Sequence, residues 1–520
     1  MLAGRPTSAH RVVVIGAGMG GLVAALLLAH AGCDVTVVEK EPGPGGKVRT
    51  MKAGGLDIDS GPTVITMKPI FDAIFETVGA RLADHVRLTP AAILARHEWR
   101  DGSMLDLFAD PERTADAIGD LAGAAEADGF RRFHARSAEV FRTLDRSFMQ
   151  EAEPGIGKLV AKTGVGGLPS LARIRAFSSL WQVLGDYFRD PRLQQLFGRY
   201  ATYCGSSPFA APGPLMLVAA AEQQGVWLTT DGMTALPEAL AALARREGAR
   251  FVFGESVERI LTGNGRVTGI RTAAGREIPA ETVLFNGDPS ALGAGLLGED
   301  ARAATPACTA PQRSLSAVTL SIAANPRGFP LLRHNVFFSG DYRSEFETIL
   351  KGWALPEDPT VYVCAQDRDD RGRSLKGGGD ERLFMIVNAP ASGDTNHPTK
   401  REIEACTHQI MRRLGAAGLD MEIDPGAMKT TGPREFHRLF PATGGALYGR
   451  ASHGWMASFQ RPTARTRIPG LYLAGGAIHP GPGLPMAALS GRHAARTILL
   501  DSPSTGRFHR VVTLGGMSTR

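Results

Sequence analysis

The 520-residue sequence has only five cysteines, Cys33, Cys204, Cys308, Cys364 and Cys406. They are odd in number, scattered and without a CxxC pair, which excludes a disulfide framework and a zinc site and leaves reduced thiols. A Ser/His/Asp set, a metal-ligating cluster and a carboxylate pair are also missing, so no metal ligand and no catalytic residue can be singled out. Charge of one sign is not concentrated anywhere. Lys and Arg number 58 against 52 Asp and Glu, a net charge of +6 with no nucleic-acid recognition motif beside it. That balance argues against nucleic acid and for an anionic membrane surface. Long apolar runs are scarce as well: only 12–31 approaches a membrane span, and its glycines follow a nucleotide-turn pattern instead. The first ten residues are polar, with no apolar core before a small-residue cleavage site, so a cytoplasmic location is expected. With 43% hydrophobic residues, the chain can bury a large core and is expected to form two or three domains.

What is present is organised around 11–40. Four β-branched residues, Val12 to Ile15, run into Gly16-x-Gly18-x-x-Gly21, an apolar helix-like stretch, and a second strand from Val35 to Val38 that ends on Glu39. Gly16 permits the tight turn, Gly18 lets the backbone approach a pyrophosphate, and Gly21, beside Gly20, brings the helix close to the sheet. The phosphate would sit at the helix N-terminus, where amide donors and dipole are free. Glu39, about 20 residues on, would accept ribose hydroxyls. This is a Rossmann-type start to an α/β fold.

Directly after Glu39 comes Pro42-Gly43-Pro44-Gly45-Gly46-Lys47-Val48-Arg49-Thr50, a rigid glycine turn with two cations, and then Gly61-Pro62-Thr63-Val64. A nicotinamide enzyme needs no second phosphate-side loop there. The arrangement resembles the flavoprotein amine oxidase and carotenoid desaturase superfamily, in which such a loop lies against FAD. The resemblance implies cofactor contacts for Lys47, Thr63 and Val64. The family usually has Arg where Lys47 stands; a lysine keeps the charge but not the planar fork.

Further along, 96–108 reads as a hairpin around Asp101-Gly102, and Asp110 caps a helix with Pro111 at its first position that is expected to reach Ala127. Residues 128–186 look mostly helical. Within them, 155–187 mixes Lys158, Lys162, Arg173 and Arg175 with Leu159, Val160, Leu168, Leu171, Ile174, Phe177, Leu180 and Trp181, broken by Gly164, Gly166 and Gly167. That mixture suits either a membrane-interface segment or a core-facing helix with a solvated basic side. The aromatic and small residues of 191–227 suit the lining of a long greasy pocket or ordinary core packing. Strands at 250–253, 257–261, 267–271 and 283–285 follow an alanine-rich helix ending at Arg246. Residues 315–434 then read as a mixed sheet with a helix at 400–414. Asp367 to Gly379 is expected to be an exposed loop.

Near the C-terminus, Gly470 to Gly476 is a strand running into a glycine pair, 479–483 is a turn, and 485–499 is a helix. A third glycine turn at a helix N-terminus can hold the flavin end of FAD, its amides facing the ring edge where negative charge develops on reduction. His479 fits a proton carrier or a structural hydrogen bond and stays unassigned.

Taken together, VIGAGMGGL, GPGGKVRT, GPTVIT, LFGRYATYCGSSP, DGMTALPEAL and LYLAGGAIHPGPGLP resemble bacterial carotenoid desaturases of the phytoene desaturase family over 12–500. Within that family, GPTVITM, LFGRYATYCGSSP and FMIVNAPA most resemble the 1-hydroxycarotenoid 3,4-desaturases. The resemblance implies a Rossmann-type FAD-binding domain built from separated segments (1–95, 225–300, 435–500), an interleaved mixed α+β substrate and membrane-facing domain (96–224, 301–434), and a tail (501–520). It further implies Val257 at the adenine side, Asn286 after the strand returning to the cofactor, and Leu447, Gly475, Gly476, Pro485 and Met486 at the flavin. Asp231 stands where the family often has Gly, which touches only that local turn. The implied chemistry takes hydride from C4 and a proton from C3 of a carotenoid, with peripheral contact to the inner or photosynthetic membrane. Phytoene desaturation, or amine oxidation on the shared FAD scaffold, are the alternatives; the oligomeric state is not legible.

Overall fold

The computed structural model describes residues 9–155, 157, 175 and 177–502. Its first layer is a five-stranded parallel sheet of β1 (Arg11–Ile15), β2 (Asp34–Glu39), β3 (Arg250–Phe253), β4 (Thr282–Phe285) and β5 (Leu471–Leu473), ordered β3-β2-β1-β4-β5. Val12 to Ile15 are buried on both faces, as a central parallel strand requires. The faces alternate residue by residue. Val12, Val14, Val35 and Val37 pack against α1 (Met19–His30), α2 (Ala235–Arg246) and α3 (Leu484–Asp501), whereas Val13, Ile15 and Val38 pack toward a three-stranded antiparallel sheet formed from 257–279. The 12–31 run is therefore strand, turn and buried helix. Among the described residues no helix is long and apolar enough to cross a membrane.

A second, seven-stranded sheet is mixed. Its order is Met428–Thr431, Ser316–Ala324, Glu381–Ala389, Val361–Ala365, His334–Phe337, Ile93–Glu98 and Met104–Phe108, antiparallel except where His334–Phe337 lies beside Ile93–Glu98. Period-two alternation divides its faces. Leu383, Met385 and Val387 pack beneath helix Lys400–Ala416, while Phe384, Ile386 and Asn388 face a cavity between this sheet and the parallel layer. Helix Lys400–Ala416 is fastened by Arg413, which donates to the Glu98 carboxylate and, at 3.0 Å, to the Phe338 carbonyl. A hairpin of Thr50–Ala53 and Leu56–Asp59 packs on this sheet and is held at Gln366, whose side chain accepts from the Asp59 amide at 3.0 Å and donates to the Asp59 carbonyl at 2.7 Å; the Asp59 carboxylate in turn accepts from the Met233 amide at 2.9 Å, just ahead of α2.

Two expectations change. The helix capped by Asp110 stops at Ala122, because Gly123 takes φ +94°; a separate helix, Ala124–Leu144, begins beyond it. The 367–379 loop is anchored rather than wholly exposed. Asp367 is buried because Arg382 and Lys376 neutralise it, and Asp370 accepts from the Ala92 amide at 2.5 Å. In the basic–apolar stretch, Leu180 is core and Trp181 packs on Phe209 with ring centres 4.6 Å apart. Lys158, Leu159, Val160, Lys162, Gly164, Gly166, Gly167, Leu168, Leu171, Arg173 and Ile174 lie outside the described residues.

Candidate active site

Two groups of expected site residues gather at the C-terminal ends of the parallel strands. The first surrounds the N-terminus of α1. Gly16 has φ +96°, and a Cβ on Gly21 would stand 2.2 Å from the Gly16 carbonyl oxygen, so both glycines are needed for this turn. Asn286, just after β4, donates to that same carbonyl at 3.1 Å and lies against Gly18 and Gly20. No side chain caps the first turn of α1, and no acid occupies it, which leaves amides and positive dipole available to an anion. Glu39 is buried at the end of β2, where its two oxygens accept from the Ala17 and Glu41 amides at 2.6 and 2.9 Å. Each oxygen keeps a lone pair for a further donor. Val257, the first residue of strand Val257–Gly263, packs with the cluster that contains Ile15 and Val38, and the loop before it is tied to Glu39 by the Glu255 amide, which donates to the Glu39 carbonyl at 3.0 Å. Gly475 takes φ +121° beside Asn286. A Cβ on Gly476 would meet nothing nearer than 3.8 Å.

The second group lines the cavity, which encloses about 640 Å³. Lys47, Thr63, Val64, Leu447, Pro485 and Met486 are all on its wall. Antiparallel pairing of Ile65 with Trp227 holds the Thr63–Val64 loop in place. Lys47 donates to the Leu447 carbonyl and sits 5.1 Å from the centre of the Phe440 ring. Burial pulls its pKa below the ordinary ammonium value, and Asp288 opposes the shift. The fork that an arginine would offer is replaced by one point contact. α3 begins at the cavity, again without a side-chain cap and without an acid in its first turn. Asp231, at the departure from the family pattern, pairs with Arg87.

His479 is not on this wall. Its Nε2 shares a hydrogen bond of 2.7 Å with the Glu151 carbonyl, its ring meets Phe148 edge-on at 4.8 Å, and burial pushes its pKa down to about 4. That is a structural role. Arg461, which the sequence did not single out, is buried and donates to the Tyr448 and Arg450 carbonyls at 3.1 and 2.7 Å. It pins the chain next to Leu447.

The remaining wall is mostly apolar. Met67, Phe141, Leu144, Phe148, Leu215 and Val218 contribute to it, so 191–227 supplies both cavity lining and core. A polar set interrupts this surface. Arg199 donates to the Tyr203 hydroxyl at 3.1 Å, Tyr203 donates to Glu222 at 3.1 Å, and Tyr200 donates to the other Glu222 oxygen. Burial pushes the Glu222 carboxyl up, against the two phenols and Arg199. Glu222 is the one carboxylate on the described wall, which also carries Lys47, Arg49, Arg199 and Arg461. Tyr362, His334 and Tyr342 complete the set. Tyr362 was findable, since it alternates with Val361 and Val363 on its strand; His334 carried no pattern.

Comparison with known proteins agrees with this geometry. The model of the family described as flavin containing amine oxidoreductase matches residues 19–499. The chain is similar to hydroxyneurosporene desaturase of Rubrivivax gelatinosus, at 49% identity over 99% of this chain and 98% of that one. It is also similar to 1-hydroxycarotenoid 3,4-desaturase of a Flavobacterium species, at 29% identity over 94% of this chain and 99% of that one. Among solved structures, an oxidoreductase from Methanosarcina mazei shares the fold with a TM-score of 0.58, at 16% identity over 94% of this chain and all of the other. The chain belongs to the flavin-containing amine oxidoreductase family and, within it, to the hydroxyneurosporene desaturases.

Proposed function

We propose that this protein is an FAD-dependent desaturase that removes two hydrogens from C3 and C4 of 1-hydroxycarotenoids. The observation that carries the reading is the apolar cavity, which begins at the uncapped N-terminus of α3 and runs along the mixed sheet. The residues present fit FAD. Two uncapped helix N-termini, α1 and α3, suit a diphosphate and the electron-rich edge of the ring; Glu39 keeps acceptor capacity for ribose hydroxyls. In this reading Gly16, Gly18, Gly20, Gly21, Glu39, Val257 and Asn286 hold the adenine and diphosphate part, and Lys47, Thr63, Val64, Leu447, Gly475, Gly476, Pro485 and Met486 hold the flavin. Segments 1–95, 225–300 and 435–500 form the cofactor part; 96–224 and 301–434 form the substrate part.

FAD, when bound, supplies the acceptor for the hydride that leaves the polyene. The protein's own work is to orient and to exclude water. Met67, Phe148 and Met486 keep the wall dry, and the sheet residues Phe384 and Ile386 give a polyene a flat apolar floor. An allylic cation is delocalised by the conjugated chain itself, so no strong base need face it. Amine oxidation fits the cavity poorly, because an ammonium substrate would meet four cations and one carboxylate already held by two tyrosines.

Peripheral membrane contact, at the cytoplasmic face of the inner or photosynthetic membrane, belongs to the same reading. Phe177 is 83% exposed and Trp455 43%; their rings lie 5.1 Å apart and both residues border the cavity. An apolar pair at the mouth of an apolar cavity suits a substrate delivered from lipid.

The test is pigment analysis after expression in hosts accumulating phytoene or 1-hydroxyneurosporene. A red-shifted product from the hydroxylated substrate alone is expected. Conversion of phytoene instead would move the protein to an earlier step, and conversion of neither by flavin-loaded protein would overturn the carotenoid reading.

A further inference from the structure

One stretch of the cavity wall is polar for no reason that cofactor binding requires. Thr63, on the loop assigned above to the flavin, shares a hydrogen bond of 2.7 Å with the Tyr362 hydroxyl, and that hydroxyl shares another of 2.8 Å with Nδ1 of His334. The Arg199 guanidinium lies 5.4 Å from the centre of the Tyr362 ring. Tyr342 borders the same space. His334 is 3% exposed and Tyr342 6%, yet Nε2 of His334 and the hydroxyl of Tyr342 have no hydrogen-bond partner. Buried polar groups are almost always paired, so two orphans on one cavity wall point to a ligand that pairs them.

The chemistry of the ligand follows from its surroundings. Burial, with the Arg333 and Arg199 cations, pushes the His334 pKa down to about 3, so its ring is neutral and offers either a donor or an acceptor at Nε2. The Tyr342 phenol is neutral too, since burial raises its pKa well above the ordinary value. A neutral group that donates once and accepts once satisfies both, which describes an alcohol. An ammonium would be repelled by Arg199. Position agrees with the reaction as well: in a 1-hydroxycarotenoid only three bonds separate the hydroxyl oxygen from C3, and the polar set begins at Thr63, one hydrogen bond from Tyr362.

We propose that Nε2 of His334 and the hydroxyl of Tyr342 bind the tertiary C1 hydroxyl of the substrate, and that this contact selects the hydroxylated end and brings C3–C4 to the flavin. The assignment rests on the reaction proposed above. Both are positioning residues. The Thr63–Tyr362–His334 chain fixes the imidazole, and the oxygen-bearing end is thereby recognised by a site that an unsubstituted end leaves unpaired.

The experiment uses purified, flavin-loaded protein with 1-hydroxyneurosporene and with 1,2-dihydroneurosporene, the same chain without the oxygen. For the wild type, kcat/KM is expected to favour the hydroxylated substrate at least about tenfold. Tyr342→Phe and His334→Phe should each lower that ratio by about tenfold through loss of the hydroxylated substrate alone, with flavin absorbance unchanged. A merely structural role would lower both substrates together and leave the ratio intact. An unchanged ratio in both variants, or no preference in the wild type, would overturn the hydroxyl site while leaving the desaturase reading standing. A wild type that converts neither carotenoid would overturn that reading and the site with it. His334→Phe also removes a bond to Tyr362; should it not fold, Tyr342→Phe, which deletes a single oxygen, decides alone.

Discussion

Gly491→Ala probes how finely the flavin end of the site is placed. Gly491 lies on α3 where that helix crosses α1, and a Cβ there would stand 2.2 Å from the Gly20 carbonyl oxygen, 3.0 Å from its carbon and 3.1 Å from its Cα. All three are backbone atoms, so no rotamer can relieve the contact. The helices would have to part by about 1 Å to restore an ordinary separation. Overpacking of this kind costs about 1–3 kcal/mol of stability. The functional effect should be larger. The first turn of α3 carries Pro485 and Met486 on the cavity wall, and a displacement of about 1 Å there is expected to cost on the order of 100-fold in turnover. Carotenoid conversion and the melting temperature measure these two consequences, and the flavin-to-protein absorbance ratio shows whether the cofactor is retained. Gly415→Ala is the control: on helix Lys400–Ala416 its Cβ meets nothing within 4 Å, so a gain of about 0.5–1 kcal/mol is expected. Wild-type turnover and melting in Gly491→Ala would refute the reasoning.

Other perturbations test separate parts of the structure. Arg413→Met strands the buried Glu98 carboxylate and should cost about 3–5 kcal/mol in urea unfolding, with partial recovery in the Glu98→Gln/Arg413→Met double variant. Burial pushes Glu345 up to about 7, against hydrogen bonds from Thr360 and Ser339. Because the folded state then holds this proton more tightly than the unfolded chain, stability falls as pH rises from the ordinary carboxyl range through about 7; Glu345→Gln should raise the melting temperature at pH 8 and do little at pH 5. Lys47→Met removes the donor to the Leu447 carbonyl and should weaken flavin retention about tenfold, read by flavin release on dilution. Replacing Phe177 and Trp455 together with serine should reduce co-sedimentation with anionic vesicles and leave the flavin spectrum unchanged; full retention on vesicles would remove the support these residues give to membrane contact.

Legibility in the sequence followed how local each cause is. The turn at Gly16–Gly21, the strand before it and Glu39 could be read because the glycines, the β-branched run and the acid act within one continuous segment. The Asp110 cap and the helix Lys400–Ala416 were equally local. Gly123 was missed as a helix stop because small residues continue on both sides, and only its backbone conformation separates the two helices. The anchoring of Asp367 could not be read, since Arg382 pairs with it only once two strands align. The cavity polar set is the extreme case. Arg199 and Glu222 come from the one stretch read as pocket lining, but Thr63, His334 and Tyr362 come from three other segments and join them through tertiary packing alone.

Gln366 acts as a surrogate strand. By donating to and accepting from one residue, Asp59, its side chain reproduces the two-way exchange of a backbone ladder, and it does so in the interior. Pulling the hairpin that ends at Asp59 off the mixed sheet would break both bonds together, and the Asp59 carboxylate, which accepts from the Met233 amide at 2.9 Å, ties the same residue to the segment ahead of α2. Asp59 thus works as a rivet: a change that shifts the hairpin is felt at once at the mixed sheet that lines the cavity and at the helix that backs the parallel layer.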